Sequence, residues 1–550
     1  MAKAKRKDIW LVLSIILLGA FILFLCYPMA GLLKQAVMGV DGGINLSQFG
    51  KFFASKYYTD TIINSFKVTI AVTLCSLIVG IPLSYFYSFY KIKGAKLIFI
   101  LALLSSMSAP FIGAYAWIML LGRSGAITLF FKNALGISLG SIYGFKGILL
   151  VQTMKFFPLV FIYMNGAFKN IDNSLMEASE NMGCVGVKRL FKVVLRLVMP
   201  TILAAALLVF MRAFADFGTP DLLGEGYMTF PILIYRQYLG ENGTDFAFAA
   251  AISIIAILIT AAVFFVQKWA TNKFDFSINA LHPVEKKDPK GIGGVLMHIF
   301  EYAVCLIAFL PQFYIIYLSF RNCTGSVFHP GFSLGNYQAA AKKLLGRSIK
   351  NTAVLGVISL IVIIVIAVLI AYLVVRRRSL LNNTIDTLSM LPYIMPGAVI
   401  GIALVSAFGK QPWALTGTLL IMIISLVIRR MPYTIRSATA TLMQIPMSIE
   451  EASISLGASK LKTFAKITVP MMSNGIVSGA ILSWVAIITE LSSAIILYNN
   501  KTITLTMSAY VAVNRGNDGV ACAFSAVLTV LTIISMLIYM AFNKEGDMKL

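Results

Sequence analysis

Two stretches of this chain settle which solvent it folds in. Residues 9–33 and 353–375 run without a charged side chain, and each is long enough to cross a bilayer, which takes roughly 20 residues as a helix. In lipid the backbone must satisfy its own donors and acceptors, which leaves helices or a closed barrel. A barrel shows short alternating segments, and these runs do not alternate. The chain therefore reads as an all-α integral membrane protein. Its charged fraction agrees: 12% of 550 residues, against about 25% in soluble proteins.

The net charge of +24 does not point to nucleic acid. Basic residues cluster beside apolar segments, as at Lys91, Lys93 and Lys96, at Lys188, Arg189 and Lys192, and at Arg376, Arg377 and Arg378. That is the pattern of the positive-inside rule, and no polar domain interleaves basic with aromatic residues. The six cysteines are scattered without a C-x-x-C, and the three histidines form no zinc pattern, so neither a disulfide framework nor a metal site is expected. The apolar stretch from Ile9 is too long for the core of a cleavable signal and reads as the first membrane helix.

Hydropathy gives about twelve spans, six in each half. They lie near residues 9–33, 60–90, 97–121, 147–168, 199–218 and 245–267, then 293–319, 349–375, 385–408, 414–436, 471–491 and 519–542. An even number with basic ends, Lys3 to Lys7 and Lys544 with Lys549, puts both termini in the cytoplasm. The halves repeat. Asn64 and Tyr85 recur as Asn351 and Tyr372, Pro110 as Pro396, Pro158 as Pro432, and Glu177 as Glu451. The expected units are a first repeat over 1–272, a cytoplasmic linker over 273–292 and a second repeat over 293–550. Because each half has an even span count, the repeats run parallel, around an axis along the membrane normal. The four prolines mark kinks or helix starts, and Trp117, Trp413 and Tyr510 read as interfacial anchors.

The loop after the fourth span carries the most information. In the second half it reads Glu450-Glu451-Ala452-Ser453-Ile454-Ser455-Leu456-Gly457, nine residues, then Ile467-Thr468-Val469-Pro470. In the first half it reads Glu177-Ala178-Ser179-Glu180-Asn181-Met182-Gly183, nine residues, then Val193-Val194-Leu195-Arg196. Each pattern is a short amphipathic helix, a glycine that permits a turn and a second short helix leading into a span. Such an element fits a groove on another protein. An interfacial helix lying on lipid is the alternative for one copy; two copies at matched positions favour docking.

These residues resemble the E-A-A-x3-G-x9-I-x-L-P loop of binding-protein-dependent ABC importer permeases. Glu451, Ala452, Gly457, Ile467 and Pro470 match it, as do Glu177, Ala178 and Gly183, while Arg196 replaces the proline. The resemblance implies a type I importer permease fold with ATPase-coupling loops at Glu177, Ala178, Gly183, Glu451, Ala452, Gly457 and Pro470. It also implies two copies of a cytoplasmic ATP-binding subunit, an external substrate-binding protein, and residence in a bacterial cytoplasmic (inner) membrane. The chain has no G-x-x-x-x-G-K-[ST] loop and so no ATP site of its own; ATP and Mg belong to the partners. It reads as a transport subunit without an enzyme activity or cofactor of its own. The fused halves, with Phe214-Ala215-Asp216-Phe217-Gly218-Thr219-Pro220 and its counterpart Ile488-Thr489-Glu490-Leu491-Ser492-Ser493, resemble the ferric-iron importer permeases. Relatives of that subgroup import phosphonates, sugar phosphates, thiamine or polyamines.

Asp216 and Glu490 are 274 residues apart, like the loops. Intramembrane acids are functional candidates by default, and one reading is an acidic pair passing a cation along the pathway. The other is structural, with Arg212 pairing to Asp216 at i,i+4. Lys342, Lys343 and Arg347 on the outer side favour an anionic cargo instead. A secondary transporter would also have twelve spans in two halves but needs no paired loops. A membrane enzyme would need a cluster of catalytic side chains that the sequence does not show.

Overall fold

The computed structural model describes residues 9–38, 43–107, 109–138, 140–239, 245–273 and 284–542. Nearly everything in it is helix, apart from a hairpin of Arg321–Thr324 with Val327–Phe332. One long helix shows how lipid changes the pattern expected of a soluble protein. Along Lys56–Phe89 the buried stripe carries Thr61, Ser65, Thr69, Thr73 and Ser76, while Ile63, Ile70, Leu74 and Ile78 are exposed. Lipid is as apolar as leucine, so small and hydroxyl residues on this inward stripe let the helices approach. A Cβ on Gly80 would lie 2.7 Å from that of Val160 in Phe145–Lys169. The buried hydroxyls bond back to their own helix, Ser65 to the Thr61 carbonyl and Thr73 to that of Thr69, which hides their polarity.

Among the described residues, eight helices are by length and composition able to cross a bilayer, eleven if three bent pairs each count as one. Twelve were expected, and Leu419–Gln444 makes the difference. It has 26 residues, but Arg429, Arg430 and Arg436 take it out of the apolar class. The stretch expected near 385–408 is bent by 112° between Leu380–Ile394 and Gly397–Phe408, with Pro396 capping the second piece. Its counterpart near 97–121 is likewise two helices, Ala95–Ser106 and Pro110–Leu121, with the proline in the first turn. There the missing N–H is an orphan in any case. Pro158 and Pro432 lie inside long helices.

The repeat is visible element by element. Phe145–Lys169, Asn173–Asn181, the π-turn Leu190–Val194 and Met199–Phe214 recur as Leu419–Gln444, Met447–Ser455, Phe464–Thr468 and Ser473–Ile488. The halves are nevertheless not separate bundles, because each gives its first helix to the other. Ile9–Phe21 and Tyr27–Val37 pack on Leu345–Arg376, Leu380–Ile394 and Gly397–Phe408. The Trp10 ring lies 4.5 Å from that of Tyr372, and Ser14 donates to Asn382 at 2.7 Å. In return Gly291–Ser319 packs on Ala95–Ser106 and Pro110–Leu121, where Gln312 donates to the Leu104 carbonyl.

Residues 274–283 of the expected linker and the basic residues at both chain ends lie outside the described residues. The rest of the linker is pinned to the first repeat. Lys287 exchanges backbone hydrogen bonds with Phe89 and Lys91, and Lys91 pairs with Asp288. Trp117 and Tyr510, expected at the lipid interface, are buried instead. The Tyr510 hydroxyl donates to the Asp221 carboxylate across the two halves at 2.9 Å. A buried phenol needs such a partner, and an acid from the other repeat supplies it. Trp413 is half exposed.

Candidate functional site

The two loops fold into the same device. Each begins with a nine-residue helix, Asn173–Asn181 or Met447–Ser455. Asp172 caps the first by accepting from the Ser174 N–H. Each ends in a glycine with left-handed backbone, Gly183 at φ +72° and Gly457 at φ +90°. Around it the Cys184 N–H reaches the Ser179 carbonyl and the Gly183 N–H that of Glu180. Ala458 with Ser453, and Gly457 with Ile454, repeat the pair, which is the Schellman closure of a helix end. No atom lies within 4 Å of where either glycine's Cβ would go. Glycine is needed there for its φ, not for room.

After the glycine, a short helix and a π-turn lead to a sharp bend into the span. The bend is 72° before Met199–Phe214 and 69° before Ser473–Ile488. The exchange of Pro470 for Arg196 therefore leaves the geometry unchanged. Glu177, Ala178, Gly183, Glu451, Ala452, Gly457 and Pro470 are all exposed. Ser179 and Ser453 face inward, and Ser453 bonds Thr463 across the turn at 2.9 Å. Sequence reasoning missed the largest apolar feature of the loops. Met182 and Leu456, again 274 apart, are 78% and 89% exposed. Both stand on the same tight turn of their device, beside its glycine.

The two devices are braced differently. Glu450 is buried and accepts from Arg376 Nε at 2.9 Å and from the Tyr372 hydroxyl at 3.3 Å. Its repeat partner is Met176, in an apolar cluster with Tyr85 and Phe89, the counterparts of Tyr372 and Arg376. Trp10 adds an edge contact to Phe464 in the second π-turn. On the first device, Lys287 and Arg189 both pair with Glu180, and Lys287 foremost holds that carboxyl below the usual carboxylate range. Arg376→Ala leaves the Glu450 charge buried alone, at a cost of about 3–5 kcal/mol. Faster amide exchange across Met447–Ser455 is the expected result. The double change Arg376→Phe with Glu450→Met rebuilds the first half's contact, and is expected to exchange more slowly than either single change.

Asp216 and Glu490 do not stand free. Each lies two residues beyond the end of its helix, buried, and neutralised by a base from the preceding long helix. Asp216 accepts from Thr219 at 2.7 Å and Gln152 at 3.2 Å, and pairs with Lys155 at 3.5 Å. Glu490 pairs with both Arg429 and Arg430 and accepts from Ser493 N–H at 3.0 Å. Lys155 and Arg429, like Thr219 and Ser493, are 274 apart, so the ion pair is itself duplicated. Each base sits three residues before Pro158 or Pro432, a signal readable from sequence. The expected pairing of Arg212 with Asp216 does not form. Helix Met199–Phe214 ends before residue 216, so the i,i+4 geometry is absent. Arg212 instead donates to the hydroxyls of Tyr393 and Tyr433, at 3.2 and 3.1 Å, on the other half. Among the described residues, no group of three or more His, Cys, Asp or Glu is placed to hold a metal ion.

The chain matches the family described as "Binding-protein-dependent transport system inner membrane component" over residues 8–275 and 336–545. It is 28% identical to the "Ferric transport system permease protein FbpB" of Actinobacillus pleuropneumoniae, over 98% of this chain and 79% of that one. A putative ferric transport system permease of Haemophilus influenzae is also 28% identical, over 89% of this chain and 78% of its own length. A putative 2-aminoethylphosphonate transport system permease of Salmonella typhimurium is 23% identical, over 49% of this chain and 93% of its own length.

Proposed function

Because the chain belongs to the family of binding-protein-dependent transport system inner membrane components, we propose that it is the pathway of an ATP-driven importer for ferric iron. An external binding protein delivers the cargo, and two ATP-binding subunits drive it inward. The observation that carries this reading is the duplicated loop device with its exposed Met182 and Leu456. Two copies in a parallel repeat suit two copies of one partner. Iron is the cargo named for relatives that cover nearly the whole chain.

The geometry suggests how force would pass. Closing of the ATPase pair draws the devices together. Each device is rigid, closed at its glycine and braced from beneath. Its motion turns Met199–Phe214 or Ser473–Ile488 about the bend, a rigid-body transition. Both termini and both devices would lie on the cytoplasmic side of a bacterial inner membrane, with the repeats at 1–272 and 293–550 joined by the 273–292 linker.

The test is uptake of labelled ferric iron by cells with and without this gene, ATPase and binding protein present, with a phosphonate and a hexose phosphate in parallel. Loss of iron uptake alone supports the reading. Uptake that persists without the ATPase indicates an ion-gradient transporter instead. Met182→Asp with Leu456→Asp is expected to reduce co-purification of the ATPase about tenfold or more, as loss of a central apolar anchor does.

A further inference from the structure

Subtracting one repeat from the other isolates what is specific to this chain. The ion pairs Lys155–Asp216 and Arg429–Glu490 occur in both halves and cancel. Beside those pairs stand charges that are not duplicated: Arg212 corresponds to Ala486, and Arg430 to Phe156. Three phenols are not duplicated either: Tyr163 corresponds to Ser437, Tyr433 to Leu159 and Tyr393 to Met107.

These unduplicated residues gather in one place between the halves. Arg212 donates to Tyr393 and Tyr433, whose rings stand 5.3 Å apart. Arg430 lies one turn before Tyr433, and Tyr163 is within electrostatic reach of Arg212. They are part exposed, Tyr163 at 36%, although the residues on either side of each are buried. The local sum is four cations against two carboxylates. Arginine does not shed its proton, and phenol oxygens solvate it without neutralising it. An uncompensated charge at membrane depth is costly unless a counter-charge comes to it. The phenol oxygens accept from Arg212, so their own protons are directed elsewhere, and no acceptor for either is found among the described residues. The Nε atoms of Arg429 and Arg430 are buried without a partner among the same residues.

We propose that Arg212, Arg430, Tyr163, Tyr393 and Tyr433 form an oxyanion-binding site on the cargo path. This rests on the reading of the chain as an importer pathway. Guanidinium groups and phenols gathered in one zone suit phosphate, phosphonate or carboxylate oxygens and repel a bare metal cation. Iron would then cross this zone only in company with an oxyanion.

The experiment uses the permease assembled with its ATPase subunits in lipid nanodiscs. Inorganic phosphate and 2-aminoethylphosphonate are titrated by phosphorus NMR. Saturable binding of at least one is expected, weakened roughly ten- to a hundredfold by Arg212→Gln, less by Tyr433→Phe, and partly restored by Arg212→Lys. Absence of binding to the unaltered complex overturns the site, whatever the variants do. So does binding that neither Arg212→Gln nor Tyr433→Phe changes. Cellular uptake separates the two sources. Loss of iron uptake in Tyr433→Phe, with phosphate supplied, means that the oxyanion travels with the metal. Loss of phosphonate uptake alone means that the phosphonate is the cargo. If the unaltered importer moves neither iron nor phosphonate, the proposed function fails while the binding result still decides the site.

Discussion

Replacing Gly457 with aspartate is expected to abolish uptake while the partner ATPase continues to hydrolyse ATP and the permease reaches the membrane in normal amount. The reason is local. Gly457 holds φ +90°, which costs an L-residue on the order of 1–2 kcal/mol, and the cost is met by reopening the Schellman turn around Ser453 and Ala458. The turn carries Leu456 outward, so a shifted turn withdraws the contact and adds a charge beside it. Nothing else packs on the glycine, so the bundle is untouched. Gly183→Asp is expected to act in the same direction. Glu451→Lys reverses the charge on the exposed face of the same helix and is expected to uncouple as well. Normal uptake at normal protein levels in Gly457→Asp would falsify the role given to the loop.

A larger effect, of a different kind, is expected for Glu490→Gln: little or no folded protein. The substitution leaves Arg429 and Arg430 without their counter-charge in the bundle, and breaking a buried pair costs about 3–5 kcal/mol. Two arginines share this carboxylate, and neither loses its proton. Asp216→Asn is expected to be milder, although the sites are repeats. Lys155 is able to become neutral where arginine is not, and Thr219 and Gln152 continue to bond the amide at that position. Detergent extraction followed by size-exclusion chromatography reads both variants. Equal yields of Glu490→Gln and the unaltered protein would remove the ion cluster from the fold's requirements. Because both acids are neutralised by bases, their geometry supports the structural side of the choice the sequence leaves open more than a bare cation path.

Much of this was legible beforehand because membrane folding leaves periodic traces. Long apolar runs specify helices, and the 274-residue offset ties Glu177 to Glu451 and Asp216 to Glu490. The loop device was readable because a left-handed closure needs glycine at one position. Other features were harder to read. The ion partner of an acid past a helix end depends on which helix lies alongside: the bases recur three residues before Pro158 and Pro432, but the i,i+4 spacing of Arg212 misleads because its helix stops at Phe214. The bend of 112° at Met395 and Pro396 needs neighbours that tolerate it, which a proline alone does not announce. The exposed pair Met182 and Leu456 was hidden because an apolar residue in a loop resembles any other until its exposure is known.

The exchange of first helices sets a schedule for biosynthesis. Ile9–Phe21 leaves the ribosome well before its partners in Leu345–Arg376 and Leu380–Ile394, the Ser14–Asn382 bond joining residues 368 apart. At about 5–20 residues per second the wait is on the order of 20–70 seconds. Throughout it Trp10 and Ser14 face lipid or insertion machinery instead of Tyr372 and Asn382. The N-terminal helix is therefore a late-docking part made early, and translation pauses or truncations before Leu380–Ile394 strand it.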